Sequence, residues 1–147
     1  LYKIIMKSDE IFIYIQSKTP FNINNIDKYG LIFVKSFEFN ISSEGIYTFD
    51  IQTFPCKTIN DKRLYLTDIQ QRYNWLQKQF KKFNIDLLEC TEYSMKKFYL
   101  DKDKVKEIPS SSFRGKIYIN DINLGNQLLQ NGLGRFKNYG LGLILIK

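Results

Sequence analysis

The sequence predicts an α+β protein. Three observations carry that expectation: a cleanly alternating segment at residues 46–54, an amphipathic stretch at residues 68–83, and a glycine-punctuated C-terminus that ends in an apolar run. From residue 46 onward the order reads strand, helix, strand, strand, helix, strand, which lays both helices on one face of an antiparallel sheet.

Residues 1–7 and 11–17 are two short β-like runs. Ser8-Asp9-Glu10 between them is a turn signal, so a hairpin is expected, and Thr19-Pro20 ends it. Residues 21–30, rich in asparagine, read as one short helix, and residues 31–41 as an extended segment. Ser42-Ser43-Glu44-Gly45 reads as a turn. In residues 46–54, Tyr47, Phe49, Ile51 and Thr53 face one way and Thr48, Asp50 and Gln52 the other. That is a half-buried strand, and Pro55 stops it.

Residues 68–83 carry one apolar stripe, Ile69, Tyr73, Leu76, Phe80 and Phe83, at helical spacing. Thr67 and Gln70 have capping-box spacing. Lys81 and Lys82 suit the negative end of the helix dipole, and Asn84 suits a left-handed closing position. The solvent face is expected to carry Arg72, Lys78 and Lys82, and Trp75 to pack at or near the core. Residues 85–100 read as one or two strands and residues 101–112 as a polar loop or hairpin tip. Residues 113–119 are a strand with Phe113, Ile117 and Ile119 on its apolar face. Asn120 or Asp121 caps a short helix running to about Gln130, with Ile122, Leu128 and Leu129 inward, and Asn131-Gly132 ends it. Residues 141–146 are a last buried strand. This βαββαβ order is the ferredoxin-like unit, expected over residues 46–147. Many RNA-binding domains use it, because one sheet face stays open to single strands.

Composition narrows the chemistry. The 147 residues contain no histidine, which excludes a Ser-His-Asp or Cys-His triad, a histidine-ligated zinc and an imidazole base within this chain. Cys56 and Cys90 form no CxxC pair and read as two ordinary thiols. No metal or other cofactor is expected. No apolar run approaches the roughly 20 residues that span a membrane, so a cytoplasmic protein with no membrane partner is expected.

The net charge of +7 is unevenly spread. Residues 1–53 hold five lysines against six acids, whereas residues 54–147 hold the other 17 cations against nine acids. Such asymmetry points to a polyanion bound by the second part, with nucleic acid ahead of anionic lipid. The competing reading is a lysine surface that only solvates the chain. Aromatic residues make up 16% and serve base stacking or core filling, the second being the commoner use.

The C-terminal stretch is the most informative. Gly132, Gly134, Gly140 and Gly142 enclose Arg135 and Lys137 between a helix and a strand. Glycines let backbone N–H groups approach a phosphate, and the two cations add charge. A Walker loop is excluded, because it runs from strand to helix and ends in Gly-Lys-Ser/Thr. A plain glycine turn between helix and strand is the alternative.

The pattern GhGxxKxxGhGhh at the C-terminus, with h apolar, resembles the signature of CRISPR-associated RAMP proteins, and among them the CasE-type endoribonuclease of type I-E Cascade. Four further stretches are similar to that family in order and spacing: Phe54-Pro55-Cys56-Lys57-Thr58, Asp61-Lys62-Arg63-Leu64, Tyr73–Phe80 around Trp75, and Phe113–Asp121. The resemblance covers about residues 31–147. It implies two tandem ferredoxin-like domains, with residues 1–45 an incomplete first domain that enters at its second strand. It also implies metal-independent cleavage of precursor CRISPR RNA at repeat stem-loops. The ribose 2′-OH attacks, leaving a 2′,3′-cyclic phosphate, and the enzyme stays on the product among other Cascade subunits. A non-catalytic RNA-binding RAMP subunit is the alternative.

The family's catalytic histidine and tyrosine lie on the helix after the first strand, so no position here inherits either, and no catalytic residue is assigned. The family's two arginines before its Asn-Pro step fall on Asp50 and Gln52, and its asparagine on Phe54. The RNA contacts expected in this chain are Arg135 and Lys137, then Lys57, Lys62 and Arg63. Lys102, Lys104 and Lys106 lie in the segment matching the family's basic hairpin, although Asp101, Asp103 and Glu107 dilute their charge. Arg114 and Lys116 alternate with the core face of their strand.

Overall fold

The computed structural model describes residues 2–7, 10–16, 40–99 and 107–147. The expected helix at 21–30, the extended segment up to residue 39, and Lys102, Lys104 and Lys106 lie outside the described residues. Strands β1 (Tyr2–Lys7) and β2 (Glu10–Ile15) pair antiparallel as the expected hairpin, with Tyr2 opposite Ile15.

The remaining chain builds a four-stranded antiparallel sheet from β3 (Gly45–Thr53), β6 (Ile85–Tyr99), β7 (Glu107–Ile119) and β8 (Ile144–Ile146), in the order β6-β7-β3-β8. Between β3 and β6 come a small hairpin, β4 (Cys56–Ile59) with β5 (Lys62–Tyr65), and helix α1 (Ile69–Lys81). Helix α2 (Ile122–Asn131) links β7 to β8. Strand β3 is central. It pairs β7 from Gly45↔Ile119 to Thr53↔Ser111 and β8 from Phe49↔Ile146 to Ile51↔Ile144. With the small hairpin set aside, this is the ferredoxin-like arrangement that the element order predicts.

The predicted alternation of β3 holds for Phe49, Ile51 and Thr53, which are buried, and for Thr48, which is exposed; Gln52, expected on the open side, is buried as well, where Ser110 satisfies its amide. Phe113, Ile117 and Ile119 join them from β7, and Leu76 and Phe80 from α1. Phe80 meets Phe49 edge to face at 5.2 Å between ring centroids. Trp75 packs half-buried against this core. Asn84 adopts the left-handed conformation expected of it, with φ of 54°.

Five further expectations are corrected. The α1 cap is Asp68, whose carboxylate accepts from the Gln71 N–H at 2.8 Å, in place of Thr67. An ionised carboxylate caps at least as well as a hydroxyl, and its position one residue later starts the helix at Ile69. Arg72 is not on the solvent face; it is 3% exposed and paired with Glu92 of β6. Residues 107–112 are strand rather than loop. Ser110, Ser111 and Ser112 are buried, since small hydroxyls can be satisfied inside: Gln52 Nε2 donates to Ser110 Oγ at 3.1 Å. Pro109 is tolerated because it pairs only with Lys97 of β6, β3 having ended opposite Ser111. The last strand is shorter than 141–146, because Leu141 and Gly142 complete the preceding loop. Finally, the β4–β5 hairpin had no counterpart in the sequence reading.

Candidate nucleic-acid interface

The β4–β5 hairpin turns at Asn60-Asp61, both at positive φ (47° and 58°), as a two-residue turn with matched twist requires. Asparagine and aspartate tolerate that region, so the Asn-Asp pair is the sequence signal that marks this turn. Cys56 pairs Tyr65, and the Leu66 N–H closes the base on the Pro55 carbonyl at 3.0 Å. Lys57, Lys62 and Arg63 are all exposed on this hairpin.

The glycine loop is built against the end of β3. Gly132, at φ 63°, donates to Leu128 O and closes α2. The Gly142 N–H donates to Gln52 O at 2.7 Å, and the Leu133 N–H to Gly142 O at 2.8 Å. A Cβ on Gly142 would stand 2.4 Å from Leu133 O; one on Gly134 would stand 2.7 Å from Thr53 Oγ1 and 3.2 Å from Trp75. Both glycines also have positive φ. The N–H groups of Gly132, Gly140 and Gly142 are therefore already bonded, to α2, to the loop itself and to β3, and close packing on β3 and α1 is what these positions demand.

Between the glycines, Phe136 occupies the left-handed region at φ 58° and leads a short 3₁₀ turn, Lys137–Tyr139. Its ring meets Phe54, just past β3, edge to face at 5.0 Å. Arg135 is exposed beside it. The half-buried Lys137 donates to Asn131 O at 2.6 Å, where a cation suits the C-terminal end of α2, and desolvation lowers its pKa. Burial pushes the Cys56 thiol up while the charges of Arg135 and Arg63 pull it down, so one loop cation and one hairpin cation both lie near enough to act on this thiol. Strand β1 lies against the 3₁₀ turn.

The other cations sit elsewhere. Arg114 and Lys116 project from the exposed sheet face, opposite Asp50 and Thr48. Arg114 stacks 4.0 Å over the Tyr93 ring, whose hydroxyl donates to Asp50, and Lys116 pairs Glu89 at 2.9 Å. Their charge is partly matched by acids on that face. Arg63 and Arg135 thus share the neighbourhood of Cys56, Lys57 and Lys62 lie on the opposite face of the same hairpin, Lys137 is turned to the end of α2, and Arg114 and Lys116 stand apart on the open sheet face. Among the described residues no cluster of three Cys, Asp or Glu side chains could hold a metal ion, and no helix is long and apolar enough to cross a membrane.

A sheet in this order, two helices on one face and a glycine loop pinned to the central strand define a ferredoxin-like protein. The family described as "CRISPR associated protein" matches residues 1–147, and the chain belongs to that family. Its fold is that of the CasE-type structures. It superposes on a CRISPR endoribonuclease Cse3 bound to a 19-nucleotide RNA with a TM-score of 0.86 and 20% identity, over 100% of this chain and 79% of that one. Against Thermus thermophilus Cse3 bound to an RNA representing a pre-cleavage complex, the TM-score is 0.70 at 20% identity. That match covers 77% of this chain and 58% of that one, less than two thirds of its length. Cas6e from Escherichia coli str. K-12 gives 0.66 at 25% identity, over 76% and 65% of the two chains. No curated protein matches the sequence.

Proposed function

We propose that this chain binds the repeat stem-loop of precursor CRISPR RNA and is the RNA-recognition part of a CasE-type endoribonuclease, with other Cascade subunits as partners. One observation supports this above the rest. Two segments distant in sequence, the β4–β5 hairpin and the glycine loop, carry Arg63 and Arg135 to the same thiol, Cys56, with Lys57 and Lys62 on the same hairpin and Lys137 on the same loop. Such a cluster positions an RNA backbone through its phosphates. Proteins of the same fold are described as endoribonucleases bound to RNA and as parts of an RNA-guided surveillance complex.

In this reading cleavage needs no metal. The 2′-OH attacks the adjacent phosphate, the bond to the 5′ oxygen breaks, and a 2′,3′-cyclic phosphate and a 5′-OH result. A base must take the 2′ proton and an acid must protonate the leaving oxygen. These 147 residues contain no histidine, so they do not supply an imidazole for either step. No residue of the chain is assigned to either step in this reading, and the chain by itself is expected to bind the stem-loop and leave it uncut. The same count suits a second reading, a non-catalytic RNA-binding RAMP subunit. Cleavage by the chain within its assembly would separate the two.

The test is an anisotropy titration of the repeat stem-loop across a salt series. Arg135→Ala is expected to weaken binding and to reduce the log–log salt slope by about 1 for each phosphate it no longer neutralises. Lys137→Ala is expected to do less, since its ammonium already serves Asn131 O. An unchanged slope in the double variant would overturn the assignment, and a cyclic phosphate product from this chain alone would overturn the cleavage half.

A further inference from the structure

A hollow of about 290 Å³ opens between the hairpin and the glycine loop. Phe54, Tyr65 and Phe136 supply its aromatic wall, Ile108 and Pro109 another side, and Arg63 and Leu64 its rim. It sits just below the range of roughly 300–1,000 Å³ typical of ligand pockets, which leaves room for one flat ring system.

Its walls are held in place before any ligand arrives. Phe136 keeps its left-handed backbone, a conformation unfavourable for a bulky residue. Its carbonyl accepts from the Tyr139 and Leu141 N–H groups at 2.9 and 3.3 Å. The Phe54 ring lies between Phe136 and Tyr65, with centroids 5.0 and 5.7 Å away. Tyr65 is tied to buried Ser111 by a hydroxyl–hydroxyl bond of 2.5 Å. Tyr65 and Phe136 are nonetheless only half-buried, so ring surface remains for a ligand.

We infer that this hollow takes one unstacked nucleobase of the bound RNA. The inference rests on the RNA-binding reading above and adds to it a nucleobase site beside the phosphate-binding cations. Aromatic rings and a guanidinium plane are the surfaces on which splayed bases stack. Arg63 at the rim and Arg135 close by suit the phosphates on either side of such a base, whereas a cationic ligand would be repelled.

The probe is a repeat stem-loop with short single-stranded flanks, in which unpaired nucleotides are made abasic one at a time. For the native chain, one abasic position is expected to weaken binding about tenfold, as loss of a single stacked base does. Phe136→Leu keeps the apolar bulk but removes the π-face, and the intact-to-abasic affinity ratio at that position should fall to about one. Leu64→Trp fills the hollow from a position 47% exposed, where folding is not at stake, and should collapse the same ratio. Contacts to the stem cancel in this ratio. If every abasic RNA binds the native chain as tightly as the intact one, the nucleobase site is wrong while the stem-loop reading stands. If the native chain binds no stem-loop at all, both fall.

Discussion

Arg72 ties the β4–β5 hairpin to the core, and its removal should be costly. Its Nε and Nη2 donate to both Glu92 oxygens, with Nη2–Oε2 at 2.6 Å, and the two side chains are 4% and 5% exposed. Nη1 donates to the carbonyls of Leu66 and Thr67 at 3.1 and 2.5 Å, which fixes the chain where it leaves β5. Arg72→Met preserves stem volume but leaves a buried carboxylate without its partner. Breaking a buried pair in this way costs about 3–5 kcal/mol. At about 2–4 °C per kcal/mol for a chain of this size, the melting temperature should fall by roughly 10 °C. Adding Glu92→Leu removes the stranded charge. The exposed Thr67 carbonyl then takes water, and the main remaining cost is the Leu66 carbonyl, about 1–3 kcal/mol. The double variant should therefore recover about half of the loss. Urea unfolding followed by circular dichroism measures all three proteins. A loss below about 1 kcal/mol for Arg72→Met, or a double variant no more stable than the single one, would refute the reasoning.

Two further outcomes are expected. Gly142→Ala places a Cβ 2.4 Å from Leu133 O at a φ of 85°, so it should destabilise the chain by about 1–3 kcal/mol in urea. It should also weaken stem-loop binding by displacing Arg135; stability within error of the native chain would contradict both. For Cys90, desolvation and then the Glu92 charge push the thiol up to about 12. At pH 9 only about one molecule in a thousand carries the thiolate, and alkylation of the folded chain at Cys90 should be much slower than in urea. Because the folded value lies above the unfolded one, the stability this thiol contributes is complete below pH 9. It is lost as pH rises from about 9 to 12, a decline that Cys90→Ala should reduce.

Sequence and structure divide along physical lines. The strands and helices from residue 46 onward were legible because each buries one face, and periodicity reports that directly: Phe49 and Ile51 at period two, Leu76 and Phe80 at helical spacing. The Asp121 cap and the Gly132 stop are local chemistry and were equally legible. Arg72 was misplaced because a charged residue on a helix is normally solvated. Its burial is tolerable because Glu92, 20 residues away on a neighbouring strand, balances its charge and the Leu66 and Thr67 carbonyls take up its remaining donor. The serine run at 110–112 looked like a loop for the same reason, its partners Gln52 and Tyr65 being supplied by other elements.

The candidate site follows this division. By itself the sequence determined which residues carry charge, where the glycines fall, and which family's pattern they match. It offered Lys137 and Arg135 as equals and left Arg63 on a segment with no assigned structure. Tertiary structure decided the rest. It turned residues 56–65 into a hairpin beside the glycine loop, committed Lys137 to the end of α2, and set Phe54, Tyr65 and Phe136 around a hollow. Periodicity reports only which way a side chain faces from its own element. Whether two faces meet depends on strand order, and that order is settled by packing across the whole sheet.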